Sequence, residues 1–338
     1  PNARIYYTLD GSEPNEGNLS GVSYSYKNQY PEEAGQAFGS LRTNTYQTNE
    51  YAEPLLVSDR SSEPNHLANI SSTWHYAPDY FPKEPLKKAT VVRALAVVDG
   101  VKSDIKTATY FVSGTAAFST PLPIASISLN EDALFDYHDG IYVAGEDFDN
   151  WRKDNPTEIA NGHRSANYRR EGIETEKAAT FQYFVNGKEV LNQNMGLRLH
   201  GSFSTSFQNK TFRLYARSEY DAKSSFDYPF FGPDNSSSFK RLLLRNSGND
   251  AGVRWIGVAL VHTISPAVYF RDALIQKMVS HMRMDTQDYM PVVTYVNGEY
   301  WGILNLRERY DEHYLERKYG IQESELELLE ANAGVKVG

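Results

Sequence analysis

The sequence predicts an α+β chain in two parts, a small β-sandwich over residues 1–113 and a larger mixed domain over residues 118–338. Three observations lead there. A chain of 338 residues is longer than one hydrophobic core usually organises. Its opening part holds short β-rich runs separated by Gly and Pro turns, with no long helical period. Its closing part holds a strand pair followed at once by a charged helix pattern, in residues 289–315, YMPVVTYVNGEYWGILNLRERYDEHYL. Asn297-Gly298 there is the strongest two-residue hairpin signal, and the second strand delivers Asn305, Arg307 and Glu308 to its own end. Polar groups held where a buried strand gives way to a helix suit a binding or catalytic site, or equally a satisfied ion pair at a sheet edge.

Charge and composition narrow the function classes. With 34 basic against 43 acidic side chains the formal charge is -9, which argues against a general nucleic-acid or anionic-membrane surface. A bound phosphate would therefore need a local basic pocket inside an acidic shell. The chain has no cysteine, which excludes disulfides, Cys-ligated zinc and thiol chemistry. No run of about 18 apolar residues is present to span a bilayer. The chain opens on proline and is strand-like within five residues, which points to a longer precursor.

Within residues 1–113, residues 5–9 form a strand closed by the turn Asp10-Gly11-Ser12-Glu13-Pro14, and residues 89–98 and 105–112 form a pair joined by Asp99-Gly100. Between them, residues 15–49 are polar and rich in Tyr, Gly, Ser and Asn, and read as an insertion decorating one end of the sandwich. Its tyrosines suit stacking on sugar rings or ordinary loop packing. The segments IYYTLDGSEP, EPLLVSDRSSEPNHLANISST and KKATVVRALAVVDGVKSDIKTATYFV resemble the chitobiase C-terminal domain type. That resemblance implies an immunoglobulin-like accessory module of secreted bacterial proteins and carries no catalytic residue.

The second part begins beyond a linker-like passage, with a boundary near Phe118. Residues 124–129 and 140–143 read as short strands, and residues 181–185 with Asn186-Gly187 as a hairpin; residues 147–168 read as polar and irregular. Asp147, Asp149 and Asn150 are spaced like the opening of a calcium loop but lack its central glycine and closing glutamate. The eight histidines form no HExxH, and neither a GxSxG elbow nor a Walker A loop occurs.

Residues 195–200 (MGLRLH) and 210–215 (KTFRLY) alternate as strands, with Arg213 on the face opposite Phe212 and Leu214, around the small-residue loop 201–206. Lys210 opens the second strand. Backbone donors in such a loop beside an ammonium can hold phosphate oxygens, although a plain hairpin with a surface lysine fits too. Residues 241–246 (RLLLRN) form a strand ending in Arg245-Asn246, before a polar loop that includes Asp250. Residues 269–284 place Phe270, Leu274, Ile275, Met278, Val279 and Met282 on one helical side, read as core, with Arg271 and Asp272 in the first turn. Residues 309–319 form a charged helix stopped by Gly320, and residues 324–330 a short helix or strand.

Taken together, GLRLHGSFSTSFQNKTFRLYAR, FKRLLLRNSGND, FRDALIQKM and PVVTYVNGEYWGILNLRERYDEHYLERKYGI resemble the CotH family of spore-coat-associated, protein-kinase-like proteins. The fold class this implies is α+β, an immunoglobulin-like β-sandwich followed by an atypical protein-kinase-like domain. The implied activity is phosphorylation of protein serine in the secretory or extracellular space, dependent on ATP and on Mg or Mn. By the same resemblance Lys210 contacts nucleotide phosphate, Arg245 and Asn246 shape the nucleotide cleft, and Glu308 orients the lysine or the metal. Arg198, Arg271, Asn305 and Asp311 stand beside them as cofactor contacts. Lys210 and Glu308 are then expected to face one anion-sized hollow.

One departure counts against activity in this chain. The family's metal-binding aspartates lie in an Asp-Trp region downstream of the resembling stretch, and no Asp-Trp pair occurs in the sequence. The reading that competes with a kinase is a non-catalytic envelope module that binds glycans, through the β domain, or other proteins.

Overall fold

The computed structural model describes residues 3–113, 120–233, 235–248, 253–256, 259–262, 268–330 and 334–337. The expected boundary at Phe118 and the loop acid Asp250 lie outside the described residues.

The opening region contains β1 (Arg4–Thr8), the hairpin β2 (Val22–Tyr26) and β3 (Arg42–Tyr46), then β4 (Asn49–Glu50), β5 (Thr90–Val98), β6 (Val101–Lys102) and β7 (Lys106–Tyr110). Alternation in β5 buries Val91, Leu95 and Val97, and Leu95 and Val97 pack with Tyr6. Except for the separate hairpin, these strands form one sheet, β4-β1-β5-β6 with β7 also on β5. No second sheet of a sandwich covers it among the described residues; side chains on its buried face, Arg93 and Thr109, instead meet Thr180, Ser126 and Gln182. Thr109 of β7 donates to Gln182 at 2.6 Å, and Phe111 packs edge-on against Phe184 and Tyr295.

Those partners belong to a closed barrel. Its strands are β8 (Ile124–Ser128), β9 (Lys177–Val185), β10 (Lys188–His200), β11 (Thr211–Tyr215), β14 (Arg241–Arg245), β17 (Tyr289–Val296) and β18 (Glu299–Arg307), closing in the order β10-β11-β14-β18-β17-β8-β9. Two short hairpins interrupt the sequence order: β12 (Phe226–Asp227) with β13 (Ser238–Phe239), and β15 (Val253–Ile256) with β16 (Ala259–His262). All barrel neighbours are antiparallel except β17 and β8, which run parallel. Closure leaves the barrel without free edges. Inward residues Leu197, Phe212, Leu214, Leu242, Leu244, Leu304 and Leu306 share one buried core, so the residues alternating with them point outward.

Helices α1 (Glu131–Phe135) and α2 (Gly145–Asp154) follow β8. Residues 140–143 are not the strand the sequence suggested: Ile141 and Tyr142 donate their N–H groups to the carbonyls of Ala133 and Leu134, closing off α1. The acids spaced like a calcium loop lie on α2 instead, with Asp147 held by Arg170 and Asp149 buried against Lys27 and Tyr137. A helix turns such acids to different sides, so the loop geometry is lost.

The Tyr-rich insertion is also placed differently from expectation. Tyr24 and Tyr46 enter the barrel core, Tyr24 donates to the buried Glu131 at 2.9 Å, and Tyr30 is wholly buried against Phe148. These rings are spent on packing rather than offered to a glycan. Helix α3 (Arg271–Val279) departs the other way. Leu274, Ile275 and Met278 are 46, 54 and 64% exposed and only Ala273 of the helix is buried among the described residues, so its apolar side is not part of the core. Helix α4 (Glu312–Tyr319) is capped by Asp311, whose side chain accepts from Tyr314 N, and stops at Gly320, φ 72°. A short strand pair, β19 (Leu328–Glu330) and β20 (Gly334–Val337), follows.

The Asn297-Gly298 turn joins the two regions. Asn297 pairs with both backbone groups of Leu129, and Gly298 accepts from Ala89 N at 2.7 Å. Gly298 has φ 82°, and a Cβ there would lie 2.3 Å from the Ala89 carbonyl oxygen. Gly298→Ala is therefore expected to lower stability by roughly 1–3 kcal/mol, read from urea denaturation midpoints. A midpoint equal to the parent's would show that the seam tolerates the side chain.

Candidate functional site

Four adjacent barrel strands, β10, β11, β14 and β18, put a row of cations on the outer wall. Arg198 pairs with Arg213, Arg213 with Leu243 and Leu243 with Arg307 in strand register. Arg241, Arg245 and Arg309 flank the row. Most of these charges have carboxylate partners. Arg198 and Arg217 share Glu176, whose side chain is 2% exposed, and both stack on Tyr215. Arg241 reaches Asp311 and Glu312, and Arg245 and Arg307 share Asp272.

Arg213 differs. It donates to the Tyr215 hydroxyl at 2.9 Å and to His200 Nδ1, no carboxylate pairs with it among the described residues, and its buried Nε has no partner. Among the described residues Arg309 pairs with Asp311 alone, at 3.8 Å, and burial together with Arg213 holds its pKa below the usual arginine value. Accepting from Arg213 fixes Nδ1 as the unprotonated nitrogen, so a neutral His200 carries its proton on Nε2. Burial, and then the charges of Arg213, Arg309 and Arg245, push His200 down to about 3.

These groups line a cavity of about 370 Å³ that also takes in Arg169, Gly201, Ser202 and Tyr168. Arg169 pins the loop by donating to Ser202 O at 2.7 Å, Gly201 sits at φ 127°, and the buried Tyr168 hydroxyl has no hydrogen-bond partner. Arg213, without a carboxylate partner among the described residues, and the loosely paired Arg309 make a basin that can take an anion with several oxygens, although the acid Glu171 also lines it.

Lys210 is not part of that basin. It is fully buried, and its ammonium donates to the carbonyls of Ser72 at 2.8 Å, Thr205 at 2.6 Å and Phe207 at 2.8 Å. It lies 4.3 Å from the Tyr168 ring centroid and 5.2 Å from that of Tyr142. Burial pulls its pKa well below the usual lysine value. Three acceptors nevertheless require three hydrogens, which only the ammonium has. Glu308 lies among other partners, accepting from Asp288 N at 3.0 Å and from Arg317, and burial raises its pKa. The expected meeting of Lys210 and Glu308 at one hollow is not formed, since each has its bonds filled by a different set of neighbours.

Of the other expected contacts, Arg198 stands on the arginine wall. Asn246 clasps Thr211 Oγ1 and Asn305 donates to Ser247 Oγ at 2.9 Å and Tyr269 O at 2.8 Å, so both hold strand ends. Arg271 lies at the exposed start of α3, and Asp311 is engaged as the α4 cap. His200, Arg213, Arg309 and Tyr168 were not singled out as site residues. The alternation in KTFRLY already set Arg213 on the face opposite Phe212 and Leu214, but only the register brings Arg198, His200 and Arg213 side by side.

The described residues do not fit a divalent cation. Among them no group of three or more His, Asp or Glu is placed to hold one. The wall's carboxylates are each bound to arginine, with Glu176, Asp272, Asp311 and Glu312 all so engaged. No helix among the described residues is long and apolar enough to cross a membrane.

Comparison with protein families places this wall. Residues 197–337 match the family model described as CotH kinase protein. Residues 1–110 match the one described as Fn3 associated. The chain is thus similar to the CotH family over its closing part and to the Fn3-associated one over its opening part. No curated protein matches it. The CotH match takes in Arg198, His200, Arg213, Arg245, Arg307 and Arg309, whereas β8, β9 and most of β10 precede it. The strands that close the barrel behind this wall thus come from residues outside both matches.

Two outcomes are expected. Lys210→Met leaves three carbonyls without a donor and should cost on the order of 3–5 kcal/mol in urea denaturation; a loss within error of zero would contradict this account of the lysine. Between the ordinary histidine value of 6.5 and about 3, the unfolded chain binds a proton on His200 that the folded chain does not. Stability should therefore fall as pH drops through that window, and His200→Gln should flatten the decline.

Proposed function

We propose that this chain is part of a CotH-like phosphotransferase, secreted or displayed at a cell surface, whose arginine basin holds the phosphate oxygens of ATP for transfer to a protein serine. The CotH match supports the reaction class. The observation that carries the reading is Arg213, a half-buried guanidinium with no carboxylate partner among the described residues, beside His200 and Arg309 in one cavity. ATP supplies the transferable phosphoryl group. In this chain Arg213 and Arg309 hold and orient its oxygens, the His200 Nε2 proton and the Tyr168 hydroxyl add neutral donors, and the Gly201-Ser202 backbone forms the rim. Fixed donors of this kind need no rearrangement as negative charge shifts among phosphate oxygens. Such a local basin is necessary in a chain of net charge -9.

The wall's carboxylates Glu176, Asp272, Asp311 and Glu312 are committed to arginine and leave no ligand set for a divalent metal among the described residues. That same observation favours a second reading, a CotH-type anion binder without transfer activity. Lys210 enters as a residue that shapes the loop rather than one that touches phosphate, and Glu308 as one that positions Arg317.

Calorimetric titration with ATP, with and without Mg²⁺, tests the proposal. Arg213→Ala is expected to weaken ATP binding by roughly 10–100-fold, the worth of a charged hydrogen bond. Raised salt should weaken the parent as well. Equal ATP affinity in parent and variant would overturn the basin. ATP binding without phosphate incorporation into any protein acceptor would favour the second reading.

A further inference from the structure

A second cavity, of about 210 Å³, lies at the seam between the two family regions and shares no lining residue with the arginine basin. The wall between them is Tyr142, the Lys210 ammonium and Tyr168: Tyr142 lines the seam cavity, Tyr168 lines the basin, and the ammonium lies near both rings. Tyr80 comes from the opening region, and Tyr300 and Trp301 from the barrel. We propose that this cleft binds one ring of a neutral polysaccharide.

Three features of the lining select that ligand. First, half-buried aromatic rings, Tyr80, Tyr300 and Trp301, present apolar surface of the kind that the C–H faces of a sugar cover. Second, Gln208 and Asn209 line the same space, with the Asn209 carboxamide beside Gly302, and neither side chain has a hydrogen-bond partner among the described residues. A carboxamide both donates and accepts, as a sugar hydroxyl does. Third, no acidic or basic side chain lines the cleft among the described residues. A phosphate, carboxylate or ammonium would lose water there without a counter-charge.

The walls are also fixed in advance. Trp301 Nε1 donates to the Tyr142 hydroxyl at 3.1 Å, and the Tyr80 hydroxyl is held by Ser71, Ser72 and Thr73 at 3.1 Å each. Gly302, at φ 105°, leaves bare strand backbone, where an added Cβ would meet only Asn209 Nδ2, at 3.8 Å. Little ordering is then left for the ligand to impose. The volume is below the ~300–1,000 Å³ of sites that enclose a drug-sized molecule, so one ring enters and the chain continues outside.

This inference does not rest on the phosphotransferase reading. Its test is fluorescence titration of the full chain with cellohexaose, chitohexaose and laminarihexaose, with adenosine as a fourth probe. At least one oligosaccharide is expected to shift the tryptophan emission. The pair Gln208→Leu/Asn209→Leu, and separately Tyr300→Ala, should weaken that response about tenfold or more. The thermal midpoint of the Gln208→Leu/Asn209→Leu chain should match the parent's, since those amides hold nothing in the fold. The proposal is overturned if none of the three oligosaccharides changes the emission, if the amide variants respond like the parent, or if adenosine binds in their place.

Discussion

An ammonium shut away from water must find acceptors inside the protein for all its hydrogens, and Lys210 finds them in three carbonyls, those of Ser72, Thr205 and Phe207. Much of the functional surface follows from that requirement. Two of the oxygens fix the turn after Gly201, whose rim borders the arginine basin. The third draws the opening region onto the barrel beside the aromatic cleft. Tyr142 and Tyr168 close around the charge and separate the two cavities. A lysine that reads as a phosphate contact is in this fold the post between two cavities.

The outer barrel wall shows how concentrated positive charge is tolerated. Among the described residues seven arginines stand on or beside four neighbouring strands, and Glu176, Asp272, Asp311 and Glu312 neutralise most of them at close range. Around Arg213 the balance is left open, and His200 is kept neutral by burial and by the surrounding guanidinium groups. Charge remains available where a multi-oxygen anion can use it. The same pairing removes those acids as metal ligands, so the wall suits phosphate better than a divalent ion.

The two regions are joined through turn chemistry. Asn297-Gly298 closes the β17–β18 hairpin and also presses against Ala89, while Glu299 accepts from the N–H of Ala68. The Tyr-rich hairpin β2–β3 crosses in the other direction, with Tyr24 and Tyr46 in the barrel core. Neither region buries its apolar surface alone. This explains why one sheet is enough for the opening region and why its expected partner sheet is absent among the described residues.

Local pattern made much of this legible. Alternation marked β10 and β11 and set Arg213 on the face opposite Phe212 and Leu214; Asn-Gly marked the β17–β18 hairpin; Gly320 marked the end of α4. Residues 140–143, α2 and the exposed face of α3 were misread because their apolar and acidic residues carry no record of what lies opposite. The sequence by itself determined the kinds of element, their turns and the residues facing away from a core, since these depend on backbone preference and side-chain period over a few positions. Tertiary structure alone decided that Arg198 and Arg213 become neighbours, that Lys210 is enclosed rather than offered to solvent, and that Glu308 answers to Arg317. Those outcomes depend on strand register and barrel closure, which bring together groups far apart in the chain and set whether each charge meets water, a carbonyl or a counter-ion.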